Sequence, residues 1–329
     1  MTRQVLKRLA GMVVVLLLVC LFTYVIFFVL SPDPAVQICG KNCTPAKIDQ
    51  IRDNLGLNRP FWAQFWTFLS GLFVGRTYGE GIQCSAPCLG YSFQSSQSVT
   101  SMMVQRFPVS LTVAVGAAVL WLLAGLVSGL IGAINEGKFI DRFISGLTFA
   151  GMSIPNYVLA LVLQFVLVVT LRWLPFPQAV AFGDDPVQWF LNFLMPWIVL
   201  AVGYAASYTR LTRANVIEAL QENYVRTARS KGLRPSVVWR RHALRPALTP
   251  IVTIFGMDFA GLLGGAVITE TVFGLNGIGK MASDAITKND QPVIMGVTLL
   301  AAFLVVVGNM VVDLVYTAID PRVRIGASA

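Results

Sequence analysis

Phe107-Pro-Val-Ser-Leu-Thr-Val-Ala-Val-Gly-Ala-Ala-Val-Leu-Trp-Leu-Leu-Ala-Gly-Leu-Val-Ser-Gly-Leu-Ile-Gly-Ala-Ile134 runs for 28 residues without an Asp, Glu, Lys or Arg. A bilayer's hydrocarbon core is about 30 Å thick, and a helix rising about 1.5 Å per residue crosses it in about 20 apolar residues. This stretch is therefore long enough to span. Three of its glycines, Gly125, Gly129 and Gly132, sit three and four residues apart, the spacing that lets membrane helices approach closely. Working outward, comparable blocks occur at residues 9–31, 143–171, 191–209, 247–272 and 293–317. The expectation is an all-α polytopic membrane protein with six transmembrane helices. Composition agrees: 56% of the residues are hydrophobic and only 12% charged, against about 25% charged in soluble domains. A soluble enzyme is excluded.

The net charge of +9 could suggest nucleic acid, but the basic residues cluster beside the apolar blocks, which reads as topology. Segments 1–8, 135–142, 210–246 and 318–329 hold 16 of the 25 Lys and Arg residues. The expected layout has both termini cytoplasmic. Residues 1–31 form a flank and first helix, 32–102 an extracytoplasmic insertion between helices 1 and 2, 103–320 a five-helix core with cytoplasmic loop 210–246, and 321–329 a cytoplasmic tail. The first apolar run exceeds the usual signal-peptide length and lacks a small-x-small cleavage site, so it reads as a retained helix.

The insertion carries two equally spaced pairs, Cys39-Gly-Lys-Asn-Cys43 and Cys84-Ser-Ala-Pro-Cys88. Four such cysteines could hold zinc. An extracytoplasmic location favours disulfides, and whether they pair locally or across the two segments is open. Cys20 lies within the first apolar block and reads as a small buried hydrophobe. His242 is the single histidine. Neither a metal site nor a catalytic constellation is read from the chain. Gly274-Leu-Asn-Gly-Ile-Gly-Lys-Met281 matches the start of a phosphate-binding loop, but Met281 stands where magnesium needs Ser or Thr, and an apolar helix precedes it. It reads as a glycine-rich turn.

Acidic residues inside spans are costly, and a functional role is their default reading. Asp258 is expected near the middle of the fifth span, either in a translocation path or as a hydrogen-bonded packing residue. Glu270 and Asp313 sit nearer span ends and read as structural. Ser153-Ile-Pro155 suggests a kink in the third span, and Gly261, Gly264 and Gly265 read as packing glycines.

The loop after the fourth span reads Glu218-Ala-Leu-Gln-Glu-Asn-Tyr-Val-Arg-Thr-Ala-Arg-Ser-Lys-Gly232-Leu-Arg-Pro235. Small and apolar residues at 217, 220, 224, 225 and 228 follow a helical period, Gly232 suits a helix stop and Pro235 a helix start. Tyr224-Val-Arg-Thr-Ala-Arg-Ser-Lys-Gly-Leu233, with Arg241-His-Ala-Leu-Arg245, resembles the EAA loop of binding-protein-dependent ABC importer permeases. Arg226-Thr227-Ala228 stands at the EAA triplet and Gly232 at its glycine. The Arg-Thr-Ala form is similar to the dipeptide/oligopeptide branch, as are Asn54-Leu-Gly-Leu-Asn-Arg-Pro60, Gly261 to Phe273, Gly277-Ile-Gly279 and Asp313 to Arg322.

The resemblance implies a bacterial inner-membrane permease subunit that forms half of a pathway for di- or oligopeptides. It implies as partners a second homologous permease subunit, two cytoplasmic ATPase subunits and an extracytoplasmic peptide-binding protein, besides the lipid bilayer. ATP and magnesium would belong to the ATPases and no cofactor to this chain. Arg226, Thr227, Ala228, Lys231, Gly232 and Leu233 would couple it to an ATPase. The same branch moves nickel chelates and other small solutes, which is one alternative. An ion-driven secondary transporter, a different class, predicts inverted repeats and paired mid-membrane charges.

Overall fold

The computed structural model describes residues 2–28, 35–36, 44–78, 81–178, 180 and 182–319. Cys39, Cys43 and the tail 321–329 lie outside them, as do the side chains of the stretch from Asp313 onward. The helices are α1 (Thr2–Phe28), α2 (Pro45–Leu55), α3 (Phe61–Val74), α4 (Val99–Ile134), α5 (Phe139–Ser153), α6 (Asn156–Thr170) and α7 (Pro186–Gln221). They continue as α8 (Asn223–Ser230), α9 (Pro235–Leu263), α10 (Val267–Val272), α11 (Ile278–Lys288) and α12 (Gln291–Ile319). Two short antiparallel hairpins, β1–β2 (Arg76–Tyr78 with Ile82–Cys84) and β3–β4 (Tyr91–Ser92 with Gln97–Ser98), precede α4.

Among the described residues five helices are long and apolar enough to cross a membrane, and there are up to six spans if α5 and α6 count as one. Those two meet at a bend of 95°. Pro155 removes a backbone donor and disfavours helix at Ile154, so the expected kink is a full break. A second departure concerns the fifth span. Its helix ends at Leu263, not near 272, and Asp258 thus lies about a turn and a half from the end instead of at the middle. The reason is local. Gly265 has φ +117, and a Cβ there would stand 2.6 Å from the Gly279 nitrogen. The chain turns back against α11 at a point only glycine can occupy.

The helices are apolar on the outside as well as within. Val115, Val119, Leu123 and Val127 form an exposed stripe on α4, and Val13, Leu17, Phe143, Leu147, Leu161 and Phe165 are exposed on other spans. Apolar faces this extended suit lipid and not water. The main core lies where α4, α6, α7 and α9 converge on Trp121, Met195, Tyr208 and Ile251. Gly125 and Gly129 bring α4 against α7: a Cβ at either would stand 2.6 Å from the Cβ of Tyr208 or of Thr212. By contrast, Gly261 packs on no neighbouring element among the described residues of this chain, whereas Gly264 packs on Ala301.

A second core joins α1, α3 and α12 through Cys20, Tyr24, Phe65, Phe68 and Met295. Cys20 is buried and unbridged, as its setting in an apolar block suggests. The hairpins form a small aromatic cap in which Tyr78, Tyr91 and Phe93 pack around a Cys84–Cys88 disulfide, so this pair closes locally. Ser92 Oγ donates to Asp290 Oδ2 at 2.5 Å and ties the cap to the start of α12.

Candidate functional site

The residues singled out by sequence fall in two places. The first is the elbow α7–α8–α9. Val225 and Ala228 of α8 and Val238 of α9 are buried together with Leu220 beside them, one apolar contact per turn. Helix α8 ends in a Schellman motif: the Gly232 N–H donates to the Arg229 carbonyl at 2.9 Å and the Leu233 N–H to the Ala228 carbonyl at 3.4 Å. Gly232 has φ +73, and Pro235 opens α9 at its first position. Both stop and start therefore fall where the sequence puts them. A π-helical turn, Val238–Ala243, then re-phases the chain before it enters the apolar part of α9.

Arg226, Thr227, Lys231, Gly232 and Leu233 are exposed on this elbow, while Ala228 is turned inward. Tyr224 is also exposed, and its hydroxyl pKa is raised by partial burial and by the neighbouring Glu222. Between the elbow and the ends of α4 and α7 lies a cleft of about 620 Å³, with Ile134, Glu136, Ile217, Arg229, Leu233 and Trp239 on its walls.

A brace that sequence reasoning missed holds the same end of the molecule. Arg213 of α7 grips Asp141 of α5 with Nε to Oδ1 at 2.6 Å and Nη2 to Oδ2 at 2.8 Å. The Gly137 N–H donates to Asp141 Oδ2 at 2.9 Å. Arg213 reads in sequence as one more topogenic cation. Asp141 one residue before Arg142, at the head of an apolar run, is the signal that an internal pair exists.

The second place surrounds Asp258. Tyr208 Oη donates to Asp258 Oδ2 at 2.8 Å. Trp121 stacks on Tyr204 with ring centroids 4.6 Å apart and tilts against Tyr208 and Phe255. Tyr204 and Tyr208 are four residues apart on α7 and share its face. That repeat beside Asp258 was legible in the sequence as two phenols within one span.

Glu270 is fully buried, not hydrated as its place near a span end suggests. It accepts from Ser110 Oγ at 2.8 Å, from the Lys280 N–H at 3.0 Å and from the Ala266 N–H at 3.3 Å. Its role is structural all the same, since it fastens α10, α11 and α4 together. At the start of the helix after the Gly274–Met281 turn, the Ile278 N–H donates to Ser110 Oγ at 2.7 Å and the Lys280 N–H to Glu270, so these donors are engaged internally and not by a phosphate. Among the described residues no cluster of His, Cys, Asp or Glu could hold a metal.

Comparison with known proteins agrees with this geometry. Residues 122–325 match the family described as "Binding-protein-dependent transport system inner membrane component", and residues 1–114 match its N-terminal companion. A Brucella abortus (strain 2308) protein with the provisional name of a peptide transport system permease is 35% identical over 98% of this chain and 99% of its own length. The glutathione transport system permease protein GsiC of Pectobacterium atrosepticum is 34% identical over the same shares. An inward-facing structure of the MetNI methionine ABC transporter aligns with a TM-score of 0.54 at 19% identity, covering 68% of this chain and 98% of that one. That likeness concerns the fold alone. With a family match across most of its length and full-length relatives above 30% identity, the chain belongs to the inner membrane components of binding-protein-dependent transport systems.

Proposed function

We propose that this chain is a permease subunit of an ATP-driven importer and forms half of the membrane pathway for di- or oligopeptides delivered by an external binding protein. The observation that carries the reading is the full-length similarity to relatives named for peptide and glutathione transport. It pairs with a rigid elbow whose exposed side bears the coupling residues. In this reading the chain makes six spans, with α5 and α6 as one bent span. Both termini and the loop 210–246 are cytoplasmic, and 32–102 is an extracytoplasmic insertion on the core 103–320. Cys39 and Cys43 remain candidates for a further disulfide on the outer side. A second homologous permease subunit completes the pathway. Two ATPase subunits, which hold ATP and magnesium, dock against Arg226, Thr227, Lys231, Gly232 and Leu233, with Ala228 holding the elbow closed behind them.

The elbow suits such coupling physically. Helix α8 is packed on α7 and α9 and is closed at its C-terminal end by the Gly232 cap, so a push on its exposed side moves both spans as one body. The Asp141–Arg213 brace would extend the motion to α5. Asp258 lies in the path. The ion-driven class gains nothing here, because Asp258 is hydrogen-bonded to the Tyr208 hydroxyl and, among the described residues of the long apolar helices, the charge pair Asp141–Arg213 sits at the elbow end. Purification of the tagged chain in mild detergent, with mass spectrometry of what accompanies it, tests the proposal. Recovery of a second permease and an ATPase is expected. Isolation of the chain alone, still moving solute into liposomes without ATP, would refute it.

A further inference from the structure

Asp258 is an ionisable side chain in an apolar span, and among the described residues no Lys or Arg pairs with it. Its Oδ2 is engaged by Tyr208, which fixes the carboxylate's orientation, and among the described residues no donor reaches Oδ1. Beside it stands an aromatic wall. Trp121 is fully buried and stacks on Tyr204 at 4.6 Å, while Tyr204 itself stays partly exposed. Asp258 itself is only partly covered. Gly261, three residues further along the same face of α9, is exposed, and no atom lies within 4 Å of where its Cβ would be. The region thus offers a fixed carboxylate oxygen, an aromatic face and open space.

A carboxylate next to an aromatic face attracts cations twice over, by charge and through the ring quadrupole, and both attractions strengthen when water is scarce. The same field repels carboxylates. From this geometry we infer that Asp258, with Tyr204 beside it and Tyr208 orienting it, receives the primary ammonium group of the cargo. The inference rests on the peptide-import reading and deepens it. A free α-ammonium is the one cationic group that every unmodified peptide carries whatever its sequence, so one acceptor would serve peptides of many compositions. Gly261 leaves room for the first residue's side chain.

The test uses the assembled transporter in proteoliposomes of phosphatidylcholine and phosphatidylglycerol, lipids without a primary amine, with ATP enclosed on the side of the ATPase subunits. Maximal ATP-driven uptake is measured with binding protein saturated by a peptide, and again with the same peptide N-acetylated. The wild type is expected to move the free-amine peptide at least about tenfold faster per loaded binding protein. Asp258→Asn should bring the ratio close to one by slowing the free-amine peptide alone, and Asp258→Glu should preserve most of it. Should Asp258→Asn fail to assemble, Tyr204→Leu, which removes the aromatic face and no charge, is expected to cut the ratio several-fold. A wild-type ratio that survives both Asp258→Asn and Tyr204→Leu overturns the assignment while peptide import stands. Absence of ATP-driven uptake of either peptide by the wild type overturns the import reading itself.

Discussion

Arg213 meets Asp141 with two nitrogens on two oxygens, a planar fork that lysine cannot reproduce. Asp141 is nearly buried and Arg213 retains 31% of its side-chain exposure, so the pair is only partly screened. Arg213→Lys should keep the charge but lose one bond, at a cost of about 1–2 kcal/mol. Denaturation in detergent followed by tryptophan fluorescence would register it, and a midpoint equal to wild type would mean that charge alone holds α5 to α7. Asp290 makes the opposite case. Burial raises its carboxyl pKa, and the hydrogen bond from Ser92 only partly offsets this. The native state then binds a proton more readily than the unfolded chain, so stability falls as pH rises from the ordinary carboxylate range through the raised value. Asp290→Asn keeps an acceptor for Ser92 and removes the ionisable group. The variant should be the more stable at neutral pH, with the advantage vanishing on acidification; parallel pH profiles for both proteins would contradict this.

Helix α8 shows how far local chemistry can be read before the fold is known. Its stop at Gly232, the restart at Pro235 and the inward period of Val225 and Ala228 follow from residue type and spacing alone. The broken third span was visible as Ser153-Ile-Pro155, but the size of its bend was not, because proline removes a bond without fixing the angle that packing then selects. The early end of α9 was hidden for a related reason. Gly264-Gly265 looked like helix packing, and only contact with Gly279, a residue from the next helix, makes it a turn. Gly232 gives the sharpest element-scale prediction. Its φ of +73 costs an ordinary L-residue about 1–2 kcal/mol, yet its surroundings are open to 4 Å, so the demand is on the backbone and not on space. Gly232→Val should leave the protein inserted and lower transport coupling, read as ATP hydrolysed per peptide taken up. Gly232→Asn, which tolerates the left-handed region, should stay near wild type. Equal coupling in both variants would separate the cap from the transmission of motion.

At the scale of the whole molecule, charge and hydropathy brought the count of spans within reach but could not fix it, since α5 and α6 together satisfy a span by composition while lying 95° apart. Two topologies follow from that bend. If the pair crosses, residues 135–138 and 182–185 lie on opposite faces and the chain makes six passes. If it re-enters, those loops share a face and five passes put the termini on opposite sides. The basic residues favour the crossing pair on physical grounds. Arg226, Arg229, Lys231 and Arg234 in the elbow, and Lys138 and Arg142 beside the loop after α4, favour one compartment. Helix α7, which joins 182–185 to the elbow, must then bring its start to the other. Single cysteines at Lys138, Asp184 and Ser230 in a background lacking Cys20, Cys39, Cys43, Cys84 and Cys88 test this with an impermeant thiol reagent. On intact cells stripped of outer barriers, only the cysteine replacing Asp184 should react, and on inverted vesicles only the other two. Labelling of the Asp184 and Lys138 replacements from the same side would make the pair re-entrant. It would also move the chain's C-terminal end to the face opposite its N-terminus.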